Sequence, residues 1–519
     1  MTVVIEKIRL INYRRFEDYT IKPNERINIL VGDNETGKSS ILEAIDIVAS
    51  GSVRKVESLG LDHLFNTTAI ENFWETRKYH DLPKMIIELY LEGDFDYTMN
   101  GKNNSLNIVT DGIRLVCSPN EDYITEINEF LTSEILIFPY EYYNIRFSTF
   151  SDEGYSGYKR KLKTVHINNA NLSSDYATND FIERMYHQYT ENDTRERIKH
   201  RSQYRQMKKQ FCIDHLADLN ERVPPDKNYY FALENNHSNI FSQDLMIYED
   251  LVAINNKGTG RQVLIKTDFA LEKAGENVDV ILMEEPENHL SHGNLQRLVS
   301  SIAGRQDGQI FITTHNSLIS TRLDLNNLII LSADGKDEPL YLHNLSKSTS
   351  NYFLKSPPAS ILEFTLSPKI ILVEGPSEYI LFDKLYESIT GRHIDQDSIH
   401  VLAIRGLSFR RYLEVSRITK SKVAVVTDND GDYQNNCIKK YEDFNDLHNI
   451  KIFYSKNNDR RTLEYHLLEN NKDICLNSFG NNPLDYMLRN KTECALELSK
   501  LSNLAVPDYI REAIEWIRE

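Results

Sequence analysis

The 519-residue sequence has few cysteines and no long apolar run. Its five cysteines are scattered and odd in number, with no Cys-x-x-Cys spacing, which argues against a disulfide framework and a structural zinc site. The longest apolar runs, such as residues 278–283, fall far short of the roughly 18 residues that cross a bilayer. Charged residues Glu6, Lys7 and Arg9 stand where a signal peptide needs an apolar segment. We therefore expect a cytoplasmic protein with no membrane contact.

The sequence also lacks an excess of positive charge. Its 60 Lys and Arg residues against 77 Asp and Glu residues give a formal net charge of -17. An acidic chain of this kind does not coat nucleic acid indiscriminately, although one basic face can still bind phosphates locally. With 40% hydrophobic residues the composition is that of a globular protein, which excludes a fibre or a disordered tail.

A glycine-containing loop joins a predicted strand pair to a predicted helix. Residues 3–30 alternate in the manner of strands, and residues 41–48 carry an apolar stripe at helical spacing. The loop between them fits a phosphate loop, in which backbone N–H groups cradle phosphates, a lysine neutralises charge and a serine hydroxyl binds Mg²⁺. The alternative is an accidental glycine turn. The predicted ATP-binding residues of this loop are Gly32, Asn34, Gly37, Lys38, Ser39 and Ser40.

Two further apolar strands end in polar groups. Glu284 and Glu285 follow the strand at residues 280–283, where the first carboxylate would reach the nucleotide's metal ion and the second would orient the attacking water. His315 follows the strand at residues 309–314 and would sense the γ-phosphate. Taken alone, His315 is more often an ordinary surface histidine, but the three elements in this order favour a nucleotide site.

Together with residues 11–16, these motifs resemble the ABC-type ATPases of the RecF/SMC class over about 1–140 and 245–335. The resemblance implies a signature loop at residues 258–262, in which Thr259 and Gly260 close the ATP site of a partner subunit. It therefore also implies a homodimer or a higher homo-oligomer. A plain glycine turn is the alternative for this loop. Glu284 stands where the class has an aspartate.

A second set of carboxylates follows a later group of predicted strands. Glu374 and Glu378 come at the end of the strand 369–373, and Asp428 and Asp430 follow the strand 423–427. Such residues give an oxygen-rich site for Mg²⁺ or Mn²⁺ that could activate water and stabilise the leaving oxygen of a phosphodiester. The alternatives are a calcium-binding loop and acidic turns that face solvent.

The order of these carboxylates resembles the Toprim domain of topoisomerases, primases and certain nucleases, over about 366–470. Behind a split ABC-type ATPase, this domain is similar to that of the OLD (overcoming lysogenisation defect) family, whose relatives include Gabija-type and retron-associated phage-defence nucleases. The resemblance adds Glu464 to the metal ligands and Lys491 as a group that stabilises charge on the scissile phosphate. It implies DNA as substrate, and a helicase or a retron reverse transcriptase with its DNA–RNA product as a conceivable partner.

We predict an α/β fold in which an ATPase domain (1–150 and 246–345) is split by a helical insertion (151–245) that serves dimerisation. A linker (346–358) then leads to a Toprim domain with a C-terminal helical extension (359–519). The most basic run, from Arg195 to Lys209, either tracks a phosphate backbone or is a solvated helix face. Arg410, Arg411, Arg460 and Arg461 would help to hold a substrate.

The leading hypothesis is an ATP-controlled, metal-dependent DNA endonuclease that acts in defence against phage. Its catalytic residues would be Glu285, His315, Glu374, Asp428 and Lys491. A RecF-like ATP-binding scaffold, whose Toprim unit only binds DNA or a partner, is the alternative from another class. A topoisomerase or a primase is a third possibility, although each needs a further module.

Overall fold

The structure of the protein is a computed structural model. It describes residues 3–132, 137–157, 160–168, 182–183, 185–186, 189–190, 193–223, 231–233, 241, 244–288, 290–304, 308–332, 337–356, 360–404, 408–501 and 503–519. Over these residues the chain alternates strands and helices, in agreement with the predicted α/β class.

The first strands form an antiparallel sheet, here called the N-terminal sheet. Its spatial order is β2 (Phe16–Ile21), β1 (Val4–Tyr13), β4 (Met85–Glu92), β6 (Thr110–Pro119) and β5 (Asn100–Gly101), with β7 (Tyr143–Thr149) also paired to β6. Ile8 of β1 lies opposite Ile21 on one side and Leu89 on the other.

A second sheet, here called the central sheet, carries the glycine loop. Its order is β14 (Leu340–Tyr341), β13 (Leu328–Ile330), β3 (Ile27–Val31), β12 (Gln309–Thr313), β11 (Val280–Glu284) and β8 (Thr164–Asn168). From β13 to β8 the neighbouring strands are parallel. The carboxyl ends of β3, β11 and β12 therefore meet at one edge, which brings the glycine loop, Glu285 and His315 together.

The position of β8 corrects a predicted boundary. This strand falls inside residues 151–245, predicted as a helical insertion, yet it pairs with β11 along its whole length. The central sheet therefore reaches residue 168, and most of the described residues of the insertion after it are helical. The strand was missed because it is short, with Val165 and Ile167 as its only apolar residues, and lies in a polar stretch of the sequence. The described helices are α6 (Thr194–His215) and α7 (Ala217–Glu221), and the strands β9 (Tyr248–Glu249) and β10 (Val252–Ala253) form a hairpin.

Helix α1 (Lys38–Ser50) packs its predicted apolar stripe against the sheets. Ile41, Leu42, Ile45 and Val48 are fully buried, and the helix ends at Gly51, whose φ of 57° is a left-handed conformation that glycine adopts readily. The other helices of the ATPase part are α2 (Val53–Leu59), α3 (Leu61–Leu64), α4 (Thr67–Thr76), α5 (Ile124–Leu131), α8 (Thr259–Asn277), α9 (His292–Gly304) and α10 (Ser317–Arg322).

The segment predicted as a linker is largely helical. Helix α11 (Lys347–Lys355) begins after Ser346, whose side chain accepts a hydrogen bond from the backbone N–H of Thr349. Phe353 of this helix is buried. The Ser and Asn content that predicted a linker here supplies a helix cap instead. The end of the predicted linker, residues 357 and 358, lies outside the described residues.

The C-terminal part contains a parallel sheet in the order β16 (Ile399–Ala403), β15 (Lys369–Val373), β17 (Lys422–Val426) and β18 (Ile450–Phe453). Residues 405 and 406, predicted to end a strand, lie outside the described residues. The helices around this sheet are α12 (Ile361–Leu366), α13 (Pro376–Thr390), α14 (Phe409–Thr419), α15 (Leu463–Asn470), α16 (Lys472–Phe479), α17 (Pro483–Arg489), α18 (Lys491–Ser499) and α19 (Asp508–Arg518).

Short non-α helical turns complete the described elements. A π-helix covers Gln434–Ile438. The 3₁₀ helices are Tyr79–Asp81, Glu121–Tyr123, Tyr140–Tyr142, Ile254–Asn256, Leu325–Asn327, Ile394–Asp397 and Lys439–Phe444.

One apolar core joins the ATPase part to the C-terminal part. It includes Ile310 and Leu318 from the former, Phe353 from α11, and Phe409 and Val423 from the latter. Polar contacts follow the same path. Glu414 of α14 accepts hydrogen bonds from Ser346 at the start of α11, and Arg322 donates to the backbone carbonyl of Leu354 at its end. The two parts are thus packed directly against each other.

Candidate functional site

The glycine loop between β3 and α1 has a conformation that few side chains tolerate. Gly37 has a φ of 93°, and a Cβ placed on it would lie 2.5 Å from Cζ of Phe16. Glycine is therefore required at this point of the loop. The chain then enters α1, whose first backbone N–H groups face the loop and favour an anion.

Lys38 is buried in this loop, with its side chain folded over the preceding backbone. Its Nζ donates to the carbonyl oxygens of Gly32 at 2.9 Å and Asp33 at 2.7 Å. Burial lowers the pKa of Lys38, against the opposing charges of Glu285 and Asp33. The ammonium group is thus held where negative charge would stabilise it.

A cavity of about 570 Å³ opens beside the loop. It is lined by predicted residues from all three strand ends, with Glu285 and His315 facing the glycine loop. It is also lined by side chains that were not predicted as site residues, among them Arg14, Arg15, His63 and Thr67. Arg14 and Arg15 belong to the motif at residues 11–16, so the sequence did contain a signal for them. The predicted residues that line the cavity are Asn34, Gly37, Lys38, Ser39, Ser40, Glu285 and His315.

The two glutamates after β11 have different surroundings. Burial raises the pKa of Glu284, and the nearby His166 and the Ser39 hydroxyl partly offset this rise. Glu285 has a left-handed φ of 40°, and its Oε1 lies 3.7 Å from Nε2 of His315. The first carboxylate therefore borders the serine of the loop, whereas the second turns towards the cavity.

Glu287 connects β11 to β12 below the cavity. Its Oε1 accepts hydrogen bonds from the Thr314 hydroxyl at 2.7 Å and from the backbone N–H of His315 at 2.9 Å. Burial raises the pKa of Glu287, partly offset by these bonds. Glu287 thus fixes the backbone that presents His315, a role that was not predicted.

The predicted signature loop lies at the start of helix α8, outside the group of residues that line the cavity. The backbone N–H groups of Arg261 and Gln262 donate to the carbonyl oxygen of Gly258. Gly258 and Thr259 are exposed. The role of Thr259 and Gly260 at a partner's ATP site stays a prediction.

A second site lies at the carboxyl edge of the C-terminal sheet. Glu374 follows β15 and reaches across to the end of β17, where its Oε1 accepts a hydrogen bond from the backbone N–H of Asp428 at 3.0 Å and another from the Thr427 hydroxyl. Gly375 and Pro376 start helix α13, which carries Glu378. The register of the two strands therefore brings Glu374 beside Asp428.

Four of the predicted metal ligands interact electrostatically, and we call Glu374, Glu378, Asp428 and Glu464 the carboxylate cluster. The pKa of Asp428 is raised well above its ordinary value by burial and then by the other three carboxylates. The pKa of Glu378 is also raised, first by burial and then by Glu464 and Glu374. Their negative charges thus oppose one another.

Lys491 supplies positive charge to the carboxylate cluster. Its Nζ lies 3.1 Å from Glu464, whose side chain is only 4% exposed. Although burial lowers the pKa of Lys491, the charge of Glu464 and the other carboxylates raises it overall. The burial of Glu464 does not fit the alternative that this group consists only of acidic turns facing solvent.

Asp430 lies outside the carboxylate cluster, although it was predicted as a ligand, whereas Tyr509 was not predicted and interacts with the cluster. Asp430 is exposed on the turn after Asp428, with a φ of 50°, and its backbone N–H donates to the carbonyl oxygen of Arg461. Tyr509 of α19 is buried behind the carboxylate cluster, and its pKa is raised by that burial and then by the four carboxylates. Nothing in the sequence around Tyr509 signals this position.

In the described ranges, no three His, Cys, Asp or Glu side chains are arranged to hold one metal ion directly.

Two family models match the chain. The model of the AAA ATPase domain matches residues 4–319, and the model of the overcoming lysogenization defect protein-like TOPRIM domain matches residues 366–430. The chain belongs to the AAA ATPase domain family. Its ATPase domain, which contains the glycine-loop cavity, is followed by an OLD-like TOPRIM domain, which contains Glu374, Glu378 and Asp428. The predicted resemblance to the OLD family is thereby confirmed.

Curated relatives match only a short stretch. The DNA replication and repair protein RecF of Alkaliphilus oremlandii is 37% identical over 49 residues, and that of Idiomarina loihiensis is 43% identical over 47 residues. Each match covers 9% of this chain and 13% of the relative. The chain thus spans about an eighth of the length of these relatives.

Solved structures of low identity are also similar. The C-terminal region of the Burkholderia pseudomallei OLD protein is 21% identical, with 29% of this chain and 97% of that chain covered and a TM-score of 0.24. The recombination mediator protein RecF with ATP is 12% identical, with 65% of this chain and 99% of that chain covered and a TM-score of 0.36.

None of the helices in the described residues combines the length and apolarity that a bilayer span requires.

Proposed function

We propose that the protein is an ATP-binding and ATP-hydrolysing DNA endonuclease of the OLD type that depends on Mg²⁺ or Mn²⁺. The observation that carries this proposal is the presence, in one packed chain, of a phosphate-loop cavity that contains Lys38 and of a separate carboxylate cluster with one lysine beside it. The cavity offers a lysine and backbone N–H groups to phosphates, and the cluster offers carboxylates to a cation.

In the phosphate-loop cavity, each residue has a separate role. Lys38 and the N–H groups at the start of α1 would bind the β- and γ-phosphates. Ser39 and Glu284, whose side chains interact, would hold the Mg²⁺ that accompanies ATP. Glu285 would orient the attacking water, and His315, 3.7 Å from it, would contact the γ-phosphate. ATP hydrolysis needs these groups close to the γ-phosphate. The ends of β3, β11 and β12 bring them to one edge of the central sheet.

The carboxylate cluster fits a hard divalent cation. Burial and mutual repulsion raise the pKa of Asp428 and Glu378, so positive charge added between them would be stabilising. Mg²⁺ commonly binds through one or two carboxylates and keeps several waters, so it does not require three protein ligands in place. We assign Glu374 and Asp428 as the principal ligands, with Glu378, Asp430 and Glu464 in support. When bound, the cation would activate water and stabilise the leaving oxygen of a phosphodiester.

Lys491, which contacts Glu464, would act on the DNA substrate. Its side chain is 42% exposed and its ammonium group is held by that carboxylate, so Lys491 can meet a phosphate that approaches the cluster. A fixed positive charge at such a place stabilises the charge that develops during phosphodiester cleavage.

A homodimer would complete the ATP site. Thr259 and Gly260 begin α8, and in the proposed dimer they would face the phosphate-loop cavity of the partner subunit. Light scattering of the full chain with ATP tests this point. A strictly monomeric protein would contradict both the signature loop and the dimer.

The biological setting is proposed from the OLD-like TOPRIM match alone. It is anti-phage defence in the cytoplasm, with DNA as substrate. A helicase or a retron reverse transcriptase with its DNA–RNA product is the kind of partner that this setting would supply.

The decisive experiment is cleavage of supercoiled, linear and single-stranded DNA by the full chain, in Mg²⁺, Mn²⁺ or EDTA, with and without ATP. We expect metal-dependent nicking that disappears in EDTA. In parallel, Lys38→Ala should abolish saturable ATP binding, because the charge opposite the β- and γ-phosphates is lost. Undiminished ATP affinity in folded Lys38→Ala would refute the assignment of the phosphate loop.

A second candidate function is an ATP-dependent DNA-binding scaffold whose TOPRIM domain does not cleave. It is favoured by one observation: in the described residues, no three ligands are arranged for one metal ion. DNA binding without nicking, under every metal condition, would support the scaffold over the nuclease.

A further inference from the structure

A half-buried polar cluster lies on the α1 side of the central sheet, next to the phosphate-loop cavity. It consists of Asp46 on α1, Lys55 on α2, and Thr164 and His166 on β8. In the parallel register of β8 and β11, His166 is the partner of Leu282. Residues two apart in a strand point to the same face, so Glu284 lies on the face of Leu282 and of His166.

Asp46 holds one side of the His166 ring. Its Oδ2 lies 3.3 Å from Nδ1 of His166 and 2.6 Å from Nζ of Lys55, and the Thr164 hydroxyl donates to its Oδ1 at 3.4 Å. Burial alone would raise the pKa of Asp46, but the hydrogen bond with His166 and the charge of Lys55 hold it well below its usual range. Because an ionised carboxylate can only accept hydrogen bonds, Nδ1 of His166 is the donor.

The other side of the ring faces away from Asp46. Nε2 of His166 is buried, and among the described residues it has no hydrogen-bond partner. His166 also has a favourable charge interaction with Glu284, which lies on the same face of the sheet and interacts with Ser39. Asp46 thus holds Nδ1 of a ring that interacts with Glu284 on the neighbouring strand.

We propose that His166 is a positioning residue for Glu284, which it keeps beside Ser39 at the nucleotide's Mg²⁺ site. A glutamate has one more rotatable bond than an aspartate, so its carboxylate loses more conformational freedom when it is held in place. A ring held by Asp46, which Lys55 contacts in turn, restricts that freedom before the nucleotide arrives. The inference rests on the ATP-binding part of the proposed function.

If His166 positions Glu284, its loss should weaken ATP binding and turnover only through their dependence on Mg²⁺. The test uses the full chain and measures the Kd of ATP by calorimetry in Mg²⁺ and in EDTA, together with the Mg²⁺ concentration that half-saturates ATP turnover. In His166→Ala, the Kd in Mg²⁺ and the half-saturating Mg²⁺ concentration should each rise by about 10–100-fold, as for other groups that orient metal ligands. The Kd in EDTA should stay within about twofold, since the phosphate loop is unchanged.

Conservative variants separate positioning from packing. His166→Gln places an amide near the former Nε2 and should restore part of the Mg²⁺ response, whereas His166→Asn places one near Nδ1 and should not. His343→Ala, at an exposed histidine of the same domain, is the control and should match the wild type.

The outcomes are distinguishable. If His166→Ala responds to Mg²⁺ as the wild type does, or if His166→Asn and not His166→Gln restores the response, the positioning role is overturned. An equal loss of ATP affinity in Mg²⁺ and EDTA also overturns it, because that loss reports a distorted phosphate loop. If the wild type binds no ATP in either condition, the ATP-binding part of the proposed function fails instead.

Discussion

The phosphate-loop cavity and the carboxylate cluster both lie at the carboxyl edge of a parallel sheet, but their charge balance differs. The cavity is lined by three basic side chains, Arg14, Arg15 and Lys38, and by as many acidic ones, Glu35, Asp62 and Glu285. In the cluster, the repulsion among four carboxylates is opposed by Lys491. The same position in a fold can thus be prepared for a polyanion or for a cation, and the residues that follow each strand decide which.

The largest expected effect is at the cluster itself. Glu374→Ala or Asp428→Ala should reduce DNA nicking to background, because each removes a principal ligand of the proposed cation. ATP turnover should persist, since the phosphate-loop cavity is a separate site. Nicking of supercoiled DNA and phosphate release are measured on the same preparations. Glu374→Ala that nicks at the wild-type rate, after controls for contaminating nuclease, would make the TOPRIM domain a binding module.

The next effect concerns hydrolysis in the cavity. Glu285→Gln should slow ATP turnover by roughly 100-fold or more, the usual cost of losing a group that activates water. ATP affinity should be nearly unchanged, because this carboxylate does not hold the nucleotide. Turnover is followed by phosphate release and affinity by calorimetry. A Glu285→Gln variant that loses affinity and keeps its turnover number would invert the assigned roles.

Lys491→Ala should slow DNA nicking by on the order of 100-fold, since a group that stabilises developing charge is lost. Divalent-metal binding should remain, because the carboxylates are intact. Nicking rates and calorimetric titration with Mn²⁺ separate the two effects. Lys500→Ala, at the residue that directly follows the same helix and pairs with the exposed Glu497, is the matched control and should nick normally.

The smallest expected effect is on stability. Because the folded-state pKa values of Asp428 and Glu378 are raised, the stability contributed by their protonated forms is complete below the ordinary carboxyl pKa of about 4 and is lost as pH rises through the raised values. In EDTA, Asp428→Asn should therefore be more stable than the wild type, by a margin that grows with pH to about 2–4 °C in Tm.

Thermal unfolding in EDTA between about pH 5 and pH 8 measures this margin. Asp446→Asn, at an exposed aspartate of the same domain, should show no such margin. Added Mg²⁺ should stabilise the wild type more than Asp428→Asn. A margin that is constant across the pH range would show that Asp428 is not held protonated in the metal-free fold.

Much of both sites could be predicted because their signals are local. The glycine loop, Glu284 and Glu285 each directly follow a short apolar strand, and parallel strands bring their carboxyl ends together. The same logic placed Glu374 beside Asp428, and the structure agrees with it. Placement of these residues required only strand ends and their order.

The parts that could not be predicted depend on contacts between distant segments. His166 lies on a short strand in a polar stretch of the sequence, and only its pairing with β11 brings it near Glu284. Tyr509 comes to the carboxylate cluster through the packing of the last helix. In α11, the polar composition predicted a linker, whereas Ser346 and Phe353 show that capping and one buried aromatic residue suffice for a packed helix.

Helix α11 has a consequence for how the chain can be divided. A hinge would allow the ATPase and TOPRIM domains to be separated at residues 346–358 with little loss. In this structure, however, Phe353 of α11 belongs to the apolar core that also includes Leu318 and Phe409. A fragment boundary at α11 would expose apolar surface on both products and remove the Ser346 partner of Glu414. One of the two fragments should therefore keep α11. The apolar surface that is exposed on the other fragment should be covered.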